Sequence, residues 1–595
     1  MRVRQPTSNT TPLRRAFHEP GKRRVKSLAV CVRPQRFATS ADWAYNAPTS
    51  SRYELVPDRN PLWREKIMKR RNALGLGPAA LLALHAANSL PLAFARGEGG
   101  TFVFGRGGDS VKLDPAVVTD GESFRVTDQI FDRLIGFDGS TTNIKPALAK
   151  NWDISPDGLT YTFHLRDGVT FHDGTPFDAA AVKWNFDRWG DEENPYRNAS
   201  DTFEYYEDVA GFSDAIKSVD VVDPLTLQIT LNAPQGPFLL NLALPAFGIA
   251  SPTAMMADIQ NAYKNPVGTG AFKFGEWVPG DHITLAKNAA YWGDTPLLDS
   301  AIVRTIPDNA ARFLALRSGS IDMMEGANPD DVTTAGRDRN LQVLLRPSLN
   351  IAYINMNLRQ APFDKLQVRQ AVAAAINRSA IVEALYAGIG KVAAQLIPPT
   401  MLGFNPDVKG PSYDPDRAKK LLADAGLPNG FTTDFWYMPL SRPYYPDPKS
   451  IAQAFAADLA KVGITANLKT EDWDTYLQDR NALKFPIWML GWTGDNGDPD
   501  NFLYTFFGAL NAPGKAVDNS WDNAQVRTLL LQAQNSSDVG ERDAIYRQVN
   551  QIINDEVPRI PIAHTTPPLL ARSYVRGYVT NPTATEPYMP VWLDK

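Results

Sequence analysis

Arg442, Trp473 and Asp495 stand just beyond three successive stretches that read as β-strands. A cation, an aromatic face and an anion on one rim would suit a small zwitterion with some apolar body. Asp495 lies in Gly491–Phe502, GWTGDNGDPDNF, where the chain leaves its strand through Trp492, Gly494 and Gly497 and also presents Asp498 and Asp500. Ligands of open α/β sheets sit off the carboxyl ends of strands, so a carboxylate here is placed to receive a cation. Calcium fits less well. The spacing is not that of a helix-flanked Asp-x-Asp-x-Asp-Gly loop, and no glutamate comes at the required distance. Asp498 and Asp500 are expected to shape the turn and cap the next element.

The elements that must hold these residues form a βαβαβ pattern. Phe485–Leu490 is apolar apart from Pro486 and reads as a strand buried on both faces. Phe435–Met438 is strand-like and runs directly into Ser441-Arg442-Pro443-Tyr444-Tyr445-Pro446. A helix comes next, with Ile451, Phe455, Leu459 and Val462 on one face and Gly463 as its stop. Ile464, Ala466 and Leu468 alternate as another strand that ends near Trp473, and a short helical stretch returns the chain to 485.

At SRPYYP and GWTGDNGDPDNF the chain resembles the extracytoplasmic solute-binding proteins of peptide-type ABC importers, family 5, and most of all their dipeptide-binding members. The likeness extends from about residue 100 to the end. It implies an α/β, two-lobed periplasmic-binding-protein fold (type II-like), with an extra small α+β domain inserted in lobe I. It implies that Asp495 pairs with a peptide's α-ammonium and Arg442 with its α-carboxylate, while Trp473, Tyr444 and Trp492 pack against the ligand. Gly121, in the first βα connection, would meet the ligand through its backbone. Glu122 beside it has a plainer reading, since an acid in a helix's first turn is favourable without any ligand. The implied partners are a dipeptide and the transmembrane permease subunits of an importer, with no cofactor, no metal and a monomeric state. The same fold in this family also takes oligopeptides, haem, opines and other solutes.

The front of the chain differs from the rest. Residues 1–67 are rich in Arg, Ser, Thr and Pro, lack a period, hold the only cysteine, Cys31, and read as a non-native or disordered extension. Met68-Lys69-Arg70-Arg71, the apolar Ala73–Ala87 stretch and Ala93-Phe94-Ala95 read as a secretory signal over 68–95. Translation is expected to start at Met68 and the mature chain near Arg96, in the periplasm. The first 67 residues carry fourteen Lys/Arg against five Asp/Glu, and 68–95 carry three against none. Of the net −4, the remainder from residue 96 therefore holds −16. That balance argues against nucleic acid, which needs a basic face. Without cysteine, this part has no disulfide and no thiolate metal site.

The length predicts more than one domain: lobe I over 96–139 and 266–349, the small domain over 140–265, lobe II over 350–562, and a return to lobe I over 563–595. Ala147–Asp173, ALAKNWDISPDGLTYTFHLRDGVTFHD, is the stretch most typical of the family. Its alternating Leu159, Tyr161, Phe163 and Leu165 predict a strand, with Asp167-Gly168 turning a hairpin into Val169 and Phe171. His172-Asp173 is expected to be structural, because no second histidine lies at ligand spacing. Gly268-x-Gly270 lacks the succeeding helix of a dinucleotide site, so it reads as the return to lobe I. Asp364 is a candidate cap for a helix through Leu366–Leu385, and Asp414-Pro415 opens another.

A secreted hydrolase is the alternative of another class. The sequence has no Gly-x-Ser-x-Gly, no His-Glu-x-x-His and no phosphate loop, and its later histidines, His164, His172, His282 and His564, are scattered. A fixed Asp–Arg pair would instead act as a ruler. One added residue lengthens an extended ligand by about 3.3–3.6 Å and pulls one terminus off its partner.

Overall fold

The computed structural model describes residues 99–197, 201–509, 520–584 and 586–595. The extension over 1–67 and the signal over 68–95 lie outside these residues.

Two mixed sheets organise the chain. The first has seven strands in the order Leu341–Leu345, Pro568–Arg572, Met323–Met324, Thr101–Arg106, Ser300–Thr305, His282–Lys287 and Phe272–Val278. It is therefore assembled from three separate stretches of chain. Between its first strand and Phe272 lies a smaller unit built on a four-stranded antiparallel sheet, with Ala149–Ile154, Thr160–Leu165, Thr226–Leu231 and Ile216–Asp223 side by side. Tyr161, Phe163 and Leu165 face its core while Thr160, Thr162 and His164 do not, as alternation requires.

One expected hairpin is absent. Thr160–Leu165 pairs with Ala149–Ile154 and Thr226–Leu231, leaving no free edge for Val169 and Phe171. These two are buried outside the sheet, after Gly168 at φ +73°. The expected start at 140 falls in the turn between the paired strands Ile135–Phe137 and Ile144–Pro146.

The second sheet runs Gly390–Val392, Arg559–Thr565, Asn350–Met356, Ile487–Thr493, Phe431–Trp436 and Ile464–Lys469. Its central strand, Ile487–Thr493, pairs antiparallel with Asn350–Met356 along all seven residues. Ile487 through Gly491 are buried, with Trp488 and Met489 fully so. A side chain of this size removed from water contributes about 1.5–3 kcal/mol. The strand continues to Thr493, so Gly491 and Trp492 belong to it rather than to the loop. Phe431–Trp436 is parallel to both Ile487–Thr493 and Ile464–Lys469, the pairing a βαβαβ unit demands. The connecting helices are Pro448–Ala460, capped by Asp447, and Trp473–Asn481, capped by Asp472.

The chain crosses between the sheets twice, from Leu345 to Asn350 and from Thr565 to Pro568. The crossings are tied together. The Arg346 amide donates to the Pro567 carbonyl at 3.0 Å, and Asn350 exchanges side-chain hydrogen bonds with the Thr565 backbone in both directions. Arg559–Thr565 stays in the second sheet throughout, so the return begins after Thr565, not at 563. Asp364 is not a cap. Helix Leu366–Ala375 starts after Lys365 and breaks at Ile376-Asn377, and Asn377 caps a second helix, Arg378–Leu385.

Gly268 and Gly270 bring the chain back against the helix Gly121–Ile130. The Gly270 amide donates to the Ile130 carbonyl at 2.8 Å, and a Cβ on Gly268 would lie 2.2 Å from that same oxygen. The next element is not a helix but the strand Phe272–Val278. Since backbone has to move to admit one methyl, Gly268→Ala should lower stability by about 1–3 kcal/mol, read as a lower urea midpoint with an unchanged slope.

Candidate functional site

The parallel order of Ile487–Thr493, Phe431–Trp436 and Ile464–Lys469 sends the chain off the same sheet end three times, delivering Asp495, Arg442 and Trp473 to one rim. The Arg442 loop is pinned by reciprocal backbone bonds between Arg442 and Tyr445 at 3.0 Å and by the Thr565 hydroxyl on the Pro443 carbonyl at 2.8 Å. The Arg442 guanidinium lies 5.2 Å from the centre of the Trp473 ring, which is itself stacked on Tyr476 at 5.9 Å. Tyr444 is buried, its ring filling the space that a Cβ on Gly491 would take. Burial alone would lower the Arg442 pKa, but Tyr444, hydrogen-bonded to it, and Glu122 raise it above the ordinary arginine value. Tyr444 thus stands behind the arginine, and Trp473 presents the more open ring.

Asp495 comes directly after the central strand. Its amide donates to Asn501 Oδ1 at 2.9 Å, and Asn501 Nδ2 donates back to Asp495 Oδ2 at 3.2 Å. The same Oδ1 receives the Trp492 indole at 3.1 Å, so one buried amide fixes both residues. Tyr205, from the small domain, also bonds the carboxylate. Among the described residues no lysine or arginine pairs with Asp495. Burial lifts its pKa to about 6, even though the Asn501 and Tyr205 hydrogen bonds pull it down.

Asp498 and Asp500 turn away from the rim. Asp498 receives both arms of Arg542, at 2.7 and 2.9 Å. Asp500 receives Gln534 at 3.2 Å and is pushed up to about 8, by burial and then by neighbouring Asp498. Among the described residues no cluster of three or more His, Cys, Asp or Glu could hold a metal. His172 bonds the Gly270 carbonyl at 2.9 Å, and burial holds it down at about 4.

The first lobe closes the site from the other side. Gly121 opens the helix Gly121–Ile130 and is exposed, with open space where a Cβ would point. Glu122, the next residue, is the first lobe's acid nearest Arg442: its Oε1 lies 3.9 Å from the Arg442 guanidinium. Asn309 of the first lobe donates to Ser441 at 2.9 Å, and Asn496 of the second donates to Asn241 of the small unit at 2.9 Å. Sequence reasoning did not find Asn501, Tyr205 or the part taken by Glu122. Asn501 could have been flagged as the first amide after the Asp-rich turn. Tyr205 had no local signal, because it reaches the site only through the fold.

Residues 143–514 match the family model described as bacterial extracellular solute-binding proteins, family 5 Middle. The dipeptide-binding protein of Escherichia coli K12 is 35% identical over 540 residues, spanning 89% of this chain and 99% of that one. Heme-binding protein A of Haemophilus influenzae is 37% identical, over 83% and 92%. Among solved structures, the periplasmic binding protein DppA of Helicobacter pylori in complex with peptide STSA superposes with a TM-score of 0.79 at 37% identity, covering 84% of this chain and 99% of that one. A dipeptide-binding protein of Pseudoalteromonas in complex with Met-Leu also gives 0.79, at 30% identity, over 83% and 100%.

Asn501→Ala should leave a buried carboxylate and an indole each short of a partner. We expect a loss of about 1–3 kcal/mol in stability and a shift in the tryptophan emission, measured by denaturant titration and fluorescence.

Proposed function

The chain belongs to family 5 of the bacterial extracellular solute-binding proteins, and on that premise we propose that it captures dipeptides by their two termini for delivery to the permease of an ABC importer. It does so as a monomer and without chemistry on the ligand. The segment 68–95 carries it to the periplasm. No helix among the described residues is long and apolar enough to cross a membrane.

One observation carries this reading. Asp495 is a carboxylate without a basic partner among the described residues, and Arg442 stands on the same rim in the loop that follows the neighbouring parallel strand. An ion withdrawn from water is costly until an opposite charge meets it. The ligand's ammonium supplies that charge to Asp495, and its carboxylate displaces the loose Glu122 contact at Arg442. Trp473 offers the apolar wall between them, with Trp492 beside Asp495; Gly121 leaves room for the peptide backbone. Tyr444 acts through Arg442.

Calorimetry with the dipeptide Ala-Phe, a tripeptide, free amino acids and haem tests the assignment. The dipeptide should bind most tightly. Asp495→Asn and Arg442→Gln should each weaken it by at least ~30-fold, the range for unpairing one partner of a buried charge pair. Undiminished binding by either variant would defeat the proposal. The pH dependence has a definite sign. An ammonium favours the charged carboxylate, so binding expels the Asp495 proton. From its value near neutrality, affinity should fall by up to about tenfold per unit below pH 6. Asp495→Asn should abolish that slope.

A further inference from the structure

Glu122 faces a mixed set of charges. Its own backbone carbonyl receives Arg106 at 2.6 Å, from the strand Thr101–Arg106. Arg125 lies one turn along its helix and pairs with Glu325 at 2.6 Å. Glu325 is also met by Arg346 at 3.3 Å, and Arg312 lies close enough to feel both acids. From the second lobe only Arg442 reaches it, at 3.9 Å, beyond hydrogen-bond range. Two buried atoms of this pair have no partner: Oε2 of Glu122 and Nε of Arg442. In a site built for a peptide carboxylate, a second carboxylate on the same arginine is a competitor. Two carboxylates sharing a site disfavour each other's charged form and raise the pKa of one of them. Protonated, however, a carboxyl group becomes a donor.

Resting on the dipeptide reading above, we propose that Glu122 is a proton-dependent gate for the ligand's carboxyl end. As an anion it holds Arg442; when the peptide carboxylate arrives, Glu122 takes up one proton from solvent and donates it as a hydrogen bond to that carboxylate. No covalent bond changes, and the ligand's charge is shared between Arg442 and the new O–H donor. The electrostatics agree with the geometry. Burial first and Glu325 second lift Glu122 to about 7, against Arg106, Arg125 and Arg442, so at neutral pH the proton is readily taken up. Glu325 is itself buried, but Arg125 and Arg346 hold it below its usual range, and it remains the charged member.

Binding should therefore take up a proton above pH 7, where Asp495 is already ionised and contributes none. The test is calorimetry of the full-length protein at pH 8 in two buffers of different ionisation enthalpy. The ligands are Ala-Phe and its C-terminal amide, which lacks the carboxylate. Both ligands regain the same fraction of an α-amino proton at this pH, so wild type should take up close to one proton more with Ala-Phe than with the amide. Above pH 7 its affinity for Ala-Phe should fall more steeply than its affinity for the amide, by about tenfold more per pH unit, one pKa unit corresponding to a factor of ten. Glu122→Gln, isosteric and already a donor, should bind Ala-Phe with only the shallower fall that the amide shows over that range, and more tightly than wild type at pH 8. Equal proton uptake by wild type with Ala-Phe and with the amide, or an excess alkaline fall for Ala-Phe that survives in Glu122→Gln, would overturn the gate. Wild type that binds neither ligand at any pH would instead overturn the dipeptide reading and the gate with it. Because the proton count is read on wild type, the test does not hang on the variant folding.

Discussion

A charge taken out of water must be met by its opposite or lose its charge, and the cleft of this protein is arranged around that constraint. Away from the cleft two buried pairs are closely met: Arg346 forks onto Glu586 at 2.5 and 2.8 Å, and Arg542 onto Asp498 at 2.7 and 2.9 Å. At the rim the ions are not. Asp495 has amide and phenol donors but no cation, and Arg442 has an aromatic ring, a phenol and a carboxylate out of hydrogen-bond range.

The same network reaches the crossings between the lobes. Arg346 lies at the first crossing. Its backbone bonds the second crossing at Pro567, and its side chain joins Glu586 and Glu325 of the first lobe. Glu325 in turn bears on Glu122 at the cleft. The crossings are thus anchored on the first-lobe side, and only a few residues lie between Arg346 and Asn350 and between Thr565 and Pro568. Any change of charge at Glu122 is felt through Glu325 by the residue that anchors the crossings. A hinge built this way needs no flexible linker, because two short crossings absorb the rotation while each sheet stays rigid.

Much of this architecture is visible in the sequence because its signals are local. The run Ile487–Leu490 is apolar without alternation and becomes a strand buried on both faces. Asp414-Pro415 opens a helix because a cap and a preset φ coincide. What escapes is set by partners distant in the chain. Val169 and Phe171 have strand chemistry, but the neighbouring strand already has both edges filled. Asp364 could have capped a helix, yet the chain starts that helix one residue later. Asn501 looks like an ordinary turn amide until Trp492 and Asp495 converge on its oxygen. Glu122 satisfies the rule for an acid in a first helical turn, and that sufficiency concealed its position opposite Arg442.

The charge balance bears on how a ligand is found. From residue 96 onward the chain carries −16, a field that draws cations and repels anions. A zwitterionic dipeptide has no net charge, so this field gives it no net pull. It experiences only a torque that turns its ammonium toward the protein. At ~0.15 M salt even that torque fades within about 8 Å of the surface. On the proposed reading, recognition therefore resides in the last few ångströms, where Asp495 and Arg442 would each offer one terminus its opposite charge. A rim that reads termini leaves the side chains between them to Trp473 and to open space, so selection falls on the separation of the two charges. Length is the property such a site can measure most sharply, because an added residue displaces a terminus by about 3.3–3.6 Å, more than a hydrogen bond can stretch.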